Sequence, residues 1–358
     1  MSRYNPIFSP FSCKQGKWGY FLSRFTLSGC YLEDIFYSRV EMKIAVMGAS
    51  GLLGAAVCRE CLARGHKLFA YANRSWEEPK KNYEVSSLPM EKFDPVMREF
   101  FDQWPDAVVN CAAISSPDMV DKNPDHARLI NVEAARQLAE VSAHLGARHL
   151  QVSTDMVFDG TSSPYRSTDQ TNPLSEYGRQ KLEAEKQVLA TTDINLVVLR
   201  ITLLNGNSPR GDRSPHERIL SALAKGEKPT LFTDEWRQTS SAENVAQLIV
   251  ELIERPNLNG LFHWAGADII TRHELGKRIL QRFGFKEERL GASTLAQSQE
   301  RVGDRPGKLT FELAPLVSKV KTQPATIDQQ LEEMHLPPAL YSWYRENVDD
   351  PTCYHPRF

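Results

Sequence analysis

From Lys43 onward the apolar positions alternate between two kinds of run. Lys43–Met47 (KIAVM) is short, unbroken and closed by Gly48, the form of a strand buried on both faces. Leu52, Leu53, Ala56, Val57 and Leu62 then recur at helical spacing, with Gly65 as the stop. Lys67–Tyr71 predicts a second strand. Asp94–Gln103 predicts a helix with Phe93, Val96, Met97 and Phe100 along one side. Ala107–Ala112, His149–Ser153 and Asn195–Ile201 read as further strands, separated by helices over Asp125–Leu145 and Leu174–Ala190. Strands alternating with helices predict an α/β fold with a doubly wound, mostly parallel sheet, its right-handed crossovers stacking helices on both faces. From Gly206 the alternation loosens. Glycine, proline and charged residues cluster through Asn207–Pro215 and Gly226–Pro229, which predicts a smaller domain over 206–320, some of whose elements return to the first. The tail, 321–358, holds a helical stretch at Ile327–Met334 and then an aromatic, proline-containing end.

Residues 1–41 differ from the rest of the chain. They are rich in Phe, Tyr and Ser, show no period, and lack the single apolar run of a signal peptide. The expectation is a disordered extension, or an upstream start codon with Met42 as the natural beginning. The extension carries a net charge of +2, leaving −4 on the remainder of a chain whose formal total is −2. Such a balance offers no general attraction to nucleic acid or to an anionic membrane. No stretch approaches the roughly 20 apolar residues that span a bilayer, and 41% hydrophobic with 25% charged residues is the make-up of a globular protein. Cys13, Cys30, Cys58, Cys61, Cys111 and Cys353 are scattered and read as free thiols in a reducing cytoplasm. Cys58 and Cys61 form a C-x-x-C, but in mid-helix, where small apolar packing is the expected role. Nothing in the sequence calls for a metal.

The stretch Gly48-Ala-Ser-Gly51-Leu-Leu-Gly54 lies between the first strand and the first helix. Glycines there let the backbone turn tightly and approach a pyrophosphate, and the helix start supplies free N–H groups and a positive dipole end. Gly48, Ser50, Gly51, Leu52, Leu53 and Gly54 are therefore candidate cofactor contacts, and 42–205 is expected to be a Rossmann-type dinucleotide-binding domain. The G-x-x-G-x-x-G spacing is that of the short-chain dehydrogenase/reductases. At the end of the second strand, Ala72-Asn73-Arg74 offers no acid for a ribose 2′-hydroxyl, whereas Arg74 suits a 2′-phosphate. NADPH is expected over NADH, with Asn73 and Arg74 at its ribose. The strand end Cys111-Ala112-Ala113 is small enough to leave room for adenine or ribose.

Ser153-Thr154-Asp155 ends one strand, and Tyr177-Gly-Arg-Gln-Lys181 opens the next helix. Four residues apart on a helix is one face, so Lys181 can hold its charge near the Tyr177 hydroxyl and favour the phenolate. Tyr177 then suits a general acid that protonates a carbonyl oxygen as hydride arrives, with Thr154 offering a second hydroxyl. The competing expectation is an exposed helix pair with no chemistry.

Ser153-Thr-Asp-Met-Val-Phe-Asp-Gly160, Pro164-Tyr165, Pro173, Tyr177–Lys181, Asn131-Val132, Asp234-Glu-Trp-Arg-Gln238, Gly260-Leu-Phe-His263 and Arg305-Pro306 together resemble the dTDP-4-dehydrorhamnose reductases, over about Lys43 to Val320. Ser116–Val120, Asn123–Asp125 and Phe262–Gly266 are similar to the regulatory beta subunit of methionine adenosyltransferase, a non-catalytic relative. The reductase resemblance implies NADPH-dependent reduction of the 4-keto group of a dTDP-6-deoxy-hexulose, in the cytoplasm. It implies Tyr177 as proton donor, Lys181 as cofactor ligand, Thr154 as its partner, and Asn131, Ala112 and Ala113 near the cofactor. Ser153, Thr154, Asp155, Leu203 and Arg237 would face the nucleotide-sugar, and a homodimer is possible. The other resemblance implies an NADP-binding subunit whose partner is the methionine adenosyltransferase catalytic subunit. Two positions depart from the reductase pattern: Met156 stands where a tyrosine is usual, and Leu203 where a tryptophan is usual. A sister epimerase or dehydratase ranks lower, since dehydratases add an acidic pair where Thr154-Asp155-Met156 has one acid.

Overall fold

A computed structural model describes residues 41–74, 83–302 and 305–355. Apart from Glu41, the expected extension lies outside the described residues, as do Cys13 and Cys30. In chain order the elements are β1 (Lys43–Met47), α1 (Leu52–Ala63), β2 (Lys67–Ala72), β3 (Val85–Ser87), α2 (Phe93–Gln103), β4 (Ala107–Asn110), α3 (Pro117–Lys122), α4 (Pro124–Arg128), α5 (Ala134–Leu145), β5 (Arg148–Thr154), α6 (Glu176–Leu189) and β6 (Leu196–Ile201). They continue as β7 (Leu204–Asn205), α7 (Pro215–Ala224), β8 (Thr230–Phe232), β9 (Trp236–Arg237), β10 (Ser240–Ser241), α8 (Ala242–Ile253), β11 (Gly260–Trp264), β12 (Ile270–Thr271) and α9 (Arg272–Arg282). The last are β13 (Gly291–Ser293), α10 (Leu295–Val302), β14 (Lys308–Leu309), α11 (Ile327–Glu332) and α12 (Tyr341–Asn347).

Seven strands form one parallel sheet in the order β11-β6-β5-β4-β1-β2-β3. Alternate residues of each strand face opposite sides, so β1 divides its side chains between two cores. Ile44 and Val46 join α1 and α8 on one face, with Val57, Ala246 and Ile249 among the buried partners. Ala45 and Met47 join α2 and α5 on the other, through Phe100 and Leu138. Ala184 and Val188 of α6 cover β6 on that same second face. Cys58 and Cys61 are buried in the first core, in mid-helix as expected.

Two strands of this sheet were not legible in the sequence. Val85–Ser87 is three residues long and pairs only with β2. Gly260–Trp264 returns after α8 to lie beside β6, so a segment from the looser half of the chain closes the sheet. The long helix expected over Asp125–Leu145 is interrupted by a π-type turn at Leu129–Glu133. Such turns widen a helix locally and often sit at functional sites. Its cause here is local. The Asn131 amide reaches out of the helix to accept from the Ile114 N–H (2.9 Å) and donate to the Ile114 carbonyl (3.2 Å).

A second core gathers Leu220, Leu280 and Phe283 with Ile327, Leu331, Met334, Leu336, Tyr344 and Tyr354. Residues after Lys321 are thus part of packed structure. Gln330 ties them to the sheet half: its amide oxygen accepts from Asn205 Nδ2 (2.8 Å) and Thr239 Oγ1 (3.0 Å).

Arg148, buried at the start of β5, has no carboxylate partner among the described residues. Its guanidinium donates to the Leu252, Arg255 and Leu258 carbonyls and to Asn259 Oδ1, so it closes the orphaned end of α8. Burial alone pulls it down to about 10. Arg148→Met leaves these buried acceptors without donors. We expect a loss of more than about 3 kcal/mol in chemical denaturation; a loss under about 1 kcal/mol would show that water replaces the guanidinium.

Candidate active site

The turn after β1 is shaped by its own packing. Gly48 has φ +79°, and a Cβ there would lie 2.7 Å from the Ala112 nitrogen. A Cβ on Gly54 would lie 2.2 Å from the Gly48 oxygen, so α1 begins pressed against the loop. Gly51 ends the loop in an extended conformation with no side-chain cap, which leaves the first-turn N–H groups of α1 free of side-chain acceptors. Ser50, Leu52 and Leu53 are at this opening. The end of β4 lines its other side. Asn110 Oδ1 accepts from the Ala112 N–H (3.1 Å), and Asn110 Nδ2 donates to Gln151 Oε1 (2.9 Å), which holds Cys111, Ala112 and Ala113 open beside the glycines. Asn73 and Arg74 are exposed at the end of the neighbouring β2. The cradle therefore fits a pyrophosphate: small residues, free N–H groups and one arginine at the strand edge.

Beyond it, α6 is set down on the end of β5. Ser175 caps α6 by accepting from the Gly178 N–H (3.1 Å). A Cβ on Gly178 would lie 2.3 Å from the Met156 carbonyl, so glycine is what lets the helix approach the turn after β5. Tyr177, Lys181, Thr154 and Asp155 are all buried there. The Lys181 ammonium donates to the Val152 carbonyl at 2.7 Å. Thr154 Oγ1 accepts from the Met156 N–H (3.2 Å) and donates to Asp155 Oδ1 (3.2 Å).

Burial raises the Tyr177 phenol above its ordinary range, and the Asp155 charge adds to that; a hydrogen bond from Thr154 works the other way. The expectation that Lys181 would favour the phenolate is thus corrected: the ammonium is turned to a strand carbonyl, and the influences on the phenol are burial, Asp155 and Thr154. A phenol held protonated is still suited to giving a proton away. Burial pulls Lys181 down to about 8, against the opposing charge of Glu185. Burial pushes Asp155 up to about 6, although Arg237 draws it down.

Arg237 belongs to a group the sequence did not reveal. Glu235, buried, pairs with Arg237 (2.9 Å) and Arg305 (3.8 Å). Arg272 feels Glu235 in its favour and Arg237, Arg305 and Arg218 against it, and its burial pulls it down. Two arginines thus pair with one buried carboxylate, with the charges of Arg272 and Arg218 close by, and its Oε2 has no hydrogen-bond partner. Excess positive charge of this kind, with guanidinium forks, matches a dianionic phosphate group. Only Arg237 was expected at the substrate, although Arg305 lies in the Arg305-Pro306 motif. Arg218, Arg272 and Arg305 are carried by α7, by α9 and by the segment before β14, which no spacing in the sequence connects.

Three other residues expected at the ligands have protein partners of their own. Ser153 donates its hydroxyl to buried Glu185. Asn131 is fully engaged with Ile114 and with Gln180 Oε1 (3.1 Å), so it braces α6 against the loop after β4. Leu203 packs on the second core. Met156, in contrast, packs beside Tyr177 with Val120 and Ala127.

The model of the RmlD substrate binding domain matches residues 42–336. The chain belongs to the RmlD substrate binding domain family. Among curated relatives, methionine adenosyltransferase 2 subunit beta of Bos taurus is 31% identical over 74% of this chain and 79% of its own length. A protein of Haloferax volcanii named "Probable low-salt glycan biosynthesis reductase Agl14" is 30% identical over 83% of this chain and 98% of its own. Among solved structures, the dTDP-4-dehydrorhamnose reductase of Bacillus anthracis, in complex with NADP, superposes with a TM-score of 0.70 at 21% identity, covering 82% of this chain and 96% of that one. The UDP-glucose 4-epimerase of Thermotoga maritima, with UDP-glucose, gives 0.71 at 19%, covering 85% and 99%. These likenesses establish the Rossmann-type fold of the family. No helix among the described residues is long and apolar enough to cross a membrane, and no group of metal-ligating side chains is found among them.

Asp155 gives this site a measurable signature. Because its folded pKa is raised, its contribution to stability is fully present below about 4 and is lost as pH rises through about 6. Asp155→Asn, always neutral, is expected to be as stable as the parent near pH 4 and more stable by roughly 1–3 kcal/mol at pH 7.5. Thermal unfolding at both pH values checks it; a difference that shrinks with rising pH would contradict the burial assigned to Asp155.

Proposed function

We propose that the chain is an NADPH-dependent reductase acting on the keto group of a nucleotide-linked sugar in the cytoplasm. The observation that carries this reading is the buried set Thr154, Tyr177 and Lys181 at the end of β5, with the glycine cradle on one side and the arginine group around Glu235 on the other. NADPH, when bound, supplies a hydride to the carbonyl carbon. Gly48, Ser50, Gly51, Leu52, Leu53 and Gly54 would hold its pyrophosphate, and Arg74 its 2′-phosphate, while Cys111, Ala112 and Ala113 leave room for the adenosine. Asn131 would act through the loop it braces. The protonated Tyr177 hydroxyl gives its proton to the carbonyl oxygen, which ends as the alcohol. Thr154 holds the phenol in line, and Lys181 holds the nicotinamide ribose and keeps positive charge beneath it. Arg237, with Arg272 and Arg305, would take the sugar's diphosphate; Asp155 lies between them and Tyr177. The finer reading is reduction of the 4-keto group of a dTDP-6-deoxy-hexulose, giving dTDP-L-rhamnose or a close analogue.

A second reading is an NADP-binding regulatory subunit that docks on a methionine adenosyltransferase catalytic subunit. It is supported by the identity to the Bos taurus subunit and by Met156 and Leu203, which remove aromatic and polar contacts at the sugar side.

Two measurements separate and refine these readings. NADPH oxidation is followed with enzymatically generated dTDP-6-deoxy-L-lyxo-4-hexulose. Turnover in the parent that falls by about 10²-fold or more in Tyr177→Phe is the expected outcome. Tight NADPH binding without turnover contradicts the reductase and favours the subunit. Arg74→Ala is expected to weaken NADPH by about tenfold or more and NADH little. Equal losses would overturn the 2′-phosphate assignment.

A further inference from the structure

Three consecutive residues at the end of β5 are engaged by one face of α6. Thr154 acts on the Tyr177 phenol, the Val152 carbonyl accepts from Lys181, and Ser153 donates to Glu185. Glu185 is one turn beyond Lys181 and is 2% exposed. Its two oxygens accept from Arg200 Nε (2.9 Å) and Nη2 (2.7 Å) in a fork. Arg200 is paired in register with Ser153 on the neighbouring strand, and its remaining nitrogen lies 3.3 Å from His263 Nε2. The guanidinium also lies over the Phe158 ring, 5.1 Å from its centroid. Burial and the Arg200 charge pull His263 down to about 3, so it is neutral and adds no charge of its own.

Several groups face Lys181. Burial works against its ammonium, and two groups oppose that: Glu185 from α6 and Cys111 from the end of β4. A thiol can help only as a thiolate, and burial holds Cys111 protonated, pushed up to about 12. β5 presents the Val152 carbonyl, and the Arg200 cation of β6 is bound in the Glu185 fork. At neutral pH Glu185 is therefore the counter-charge that acts on Lys181. Without it Lys181 would lose its counter-charge and Arg200 the acceptors of its fork.

Resting on the reductase reading, we propose that Glu185 is a positioning residue for Lys181. Its carboxylate, locked in the Arg200 fork and bridged to Ser153, keeps the lysine charged and aimed along the end of β5. Glu185 touches neither cofactor nor substrate. It acts by holding the group that does.

The test is a titration of the Lys181 side chain by NMR in the full-length protein labelled at lysine Cε and Nζ, with the resonance assigned through Lys181→Arg. It needs neither cofactor nor substrate. In Glu185→Gln the Lys181 midpoint is expected to fall by about one unit or more. In Glu185→Asp, which keeps the charge but draws it back, the fall is expected to be smaller and in the same direction. A midpoint unchanged in the folded Gln variant overturns the proposal. Should that variant fail to fold, an unchanged midpoint in Glu185→Asp overturns it equally. If the chain turns over a sugar nucleotide, the alkaline limb of its rate profile moves to lower pH with the same ranking. A shifted midpoint in a protein without turnover would defeat the reductase reading and leave the role of Glu185 standing. Turnover with an unmoved midpoint would do the reverse.

Discussion

The way α6 lies on β5 governs the geometry of the whole site. A helix resting on a sheet can slide or rotate at little cost when only apolar side chains meet, because such contacts have no direction. Here the contact is directional. The Arg200 fork on Glu185 allows one depth and one rotation of α6, and the bond from Ser153 fixes its height along the strand. With Glu185 fixed, Lys181 and Tyr177 are set at one and two turns from it. Gly178 supplies the matching steric condition, since any side chain there would strike the Met156 carbonyl. A buried ion pair is weak evidence for stability by itself. Its value here is specificity of placement.

The remaining elements bring groups to that fixed point. The sheet order puts the ends of β1, β4 and β5 side by side, so the glycine turn, the small residues after β4 and the Thr154 turn share one edge. This is where a doubly wound sheet accepts ligands. Gln151 links β5 to β4 through Asn110, and Asn131 links the loop after β4 to α6, so the cradle and the Tyr177 face are mechanically joined. From the other half of the chain come Arg237 and Arg305, paired with Glu235, and the nearby charges of Arg272 and Arg218. That carboxylate keeps the cluster from repelling itself apart, yet leaves a surplus of positive charge and one oxygen without a hydrogen bond. Asp155 stands between the two groups, buried and responsive to both.

Much of this was readable in the sequence, for physical reasons. Strands buried on both faces must be continuous apolar runs, so β1, β4, β5 and β6 announced themselves, and the position of the glycine turn after β1 marked it as a cradle. Tyr177 and Lys181 could be paired because helical spacing is fixed. What stayed hidden depends on the third dimension. β3 has three residues and almost no pattern. β11 looked like part of the second half, because nothing local says which sheet a short strand will join. Arg218, Arg272 and Arg305 are far apart along the chain and meet only when the second core forms. Ser153 was expected at the sugar; its hydroxyl donates to Glu185 of α6, a tertiary partner that no spacing announces. The direction of the Tyr177 shift was missed because burial and Asp155, both tertiary facts, outweigh a lysine whose nitrogen is turned to the strand.

The reaction proposed is one chemical event at the end of β5: hydride to a sugar carbonyl, with the proton from Tyr177. The most direct measurement is isotope transfer. NADPH carrying deuterium at the transferred position is incubated with the chain and a dTDP-4-keto-6-deoxy-hexulose, and the recovered sugar nucleotide is examined by proton NMR. Deuterium bound at C4 of a 4-hydroxy product, absent when Tyr177→Phe is used, is the result expected. Recovery of unreduced keto sugar with NADPH still intact and bound would contradict the account, and would leave a protein that holds the cofactor without using it.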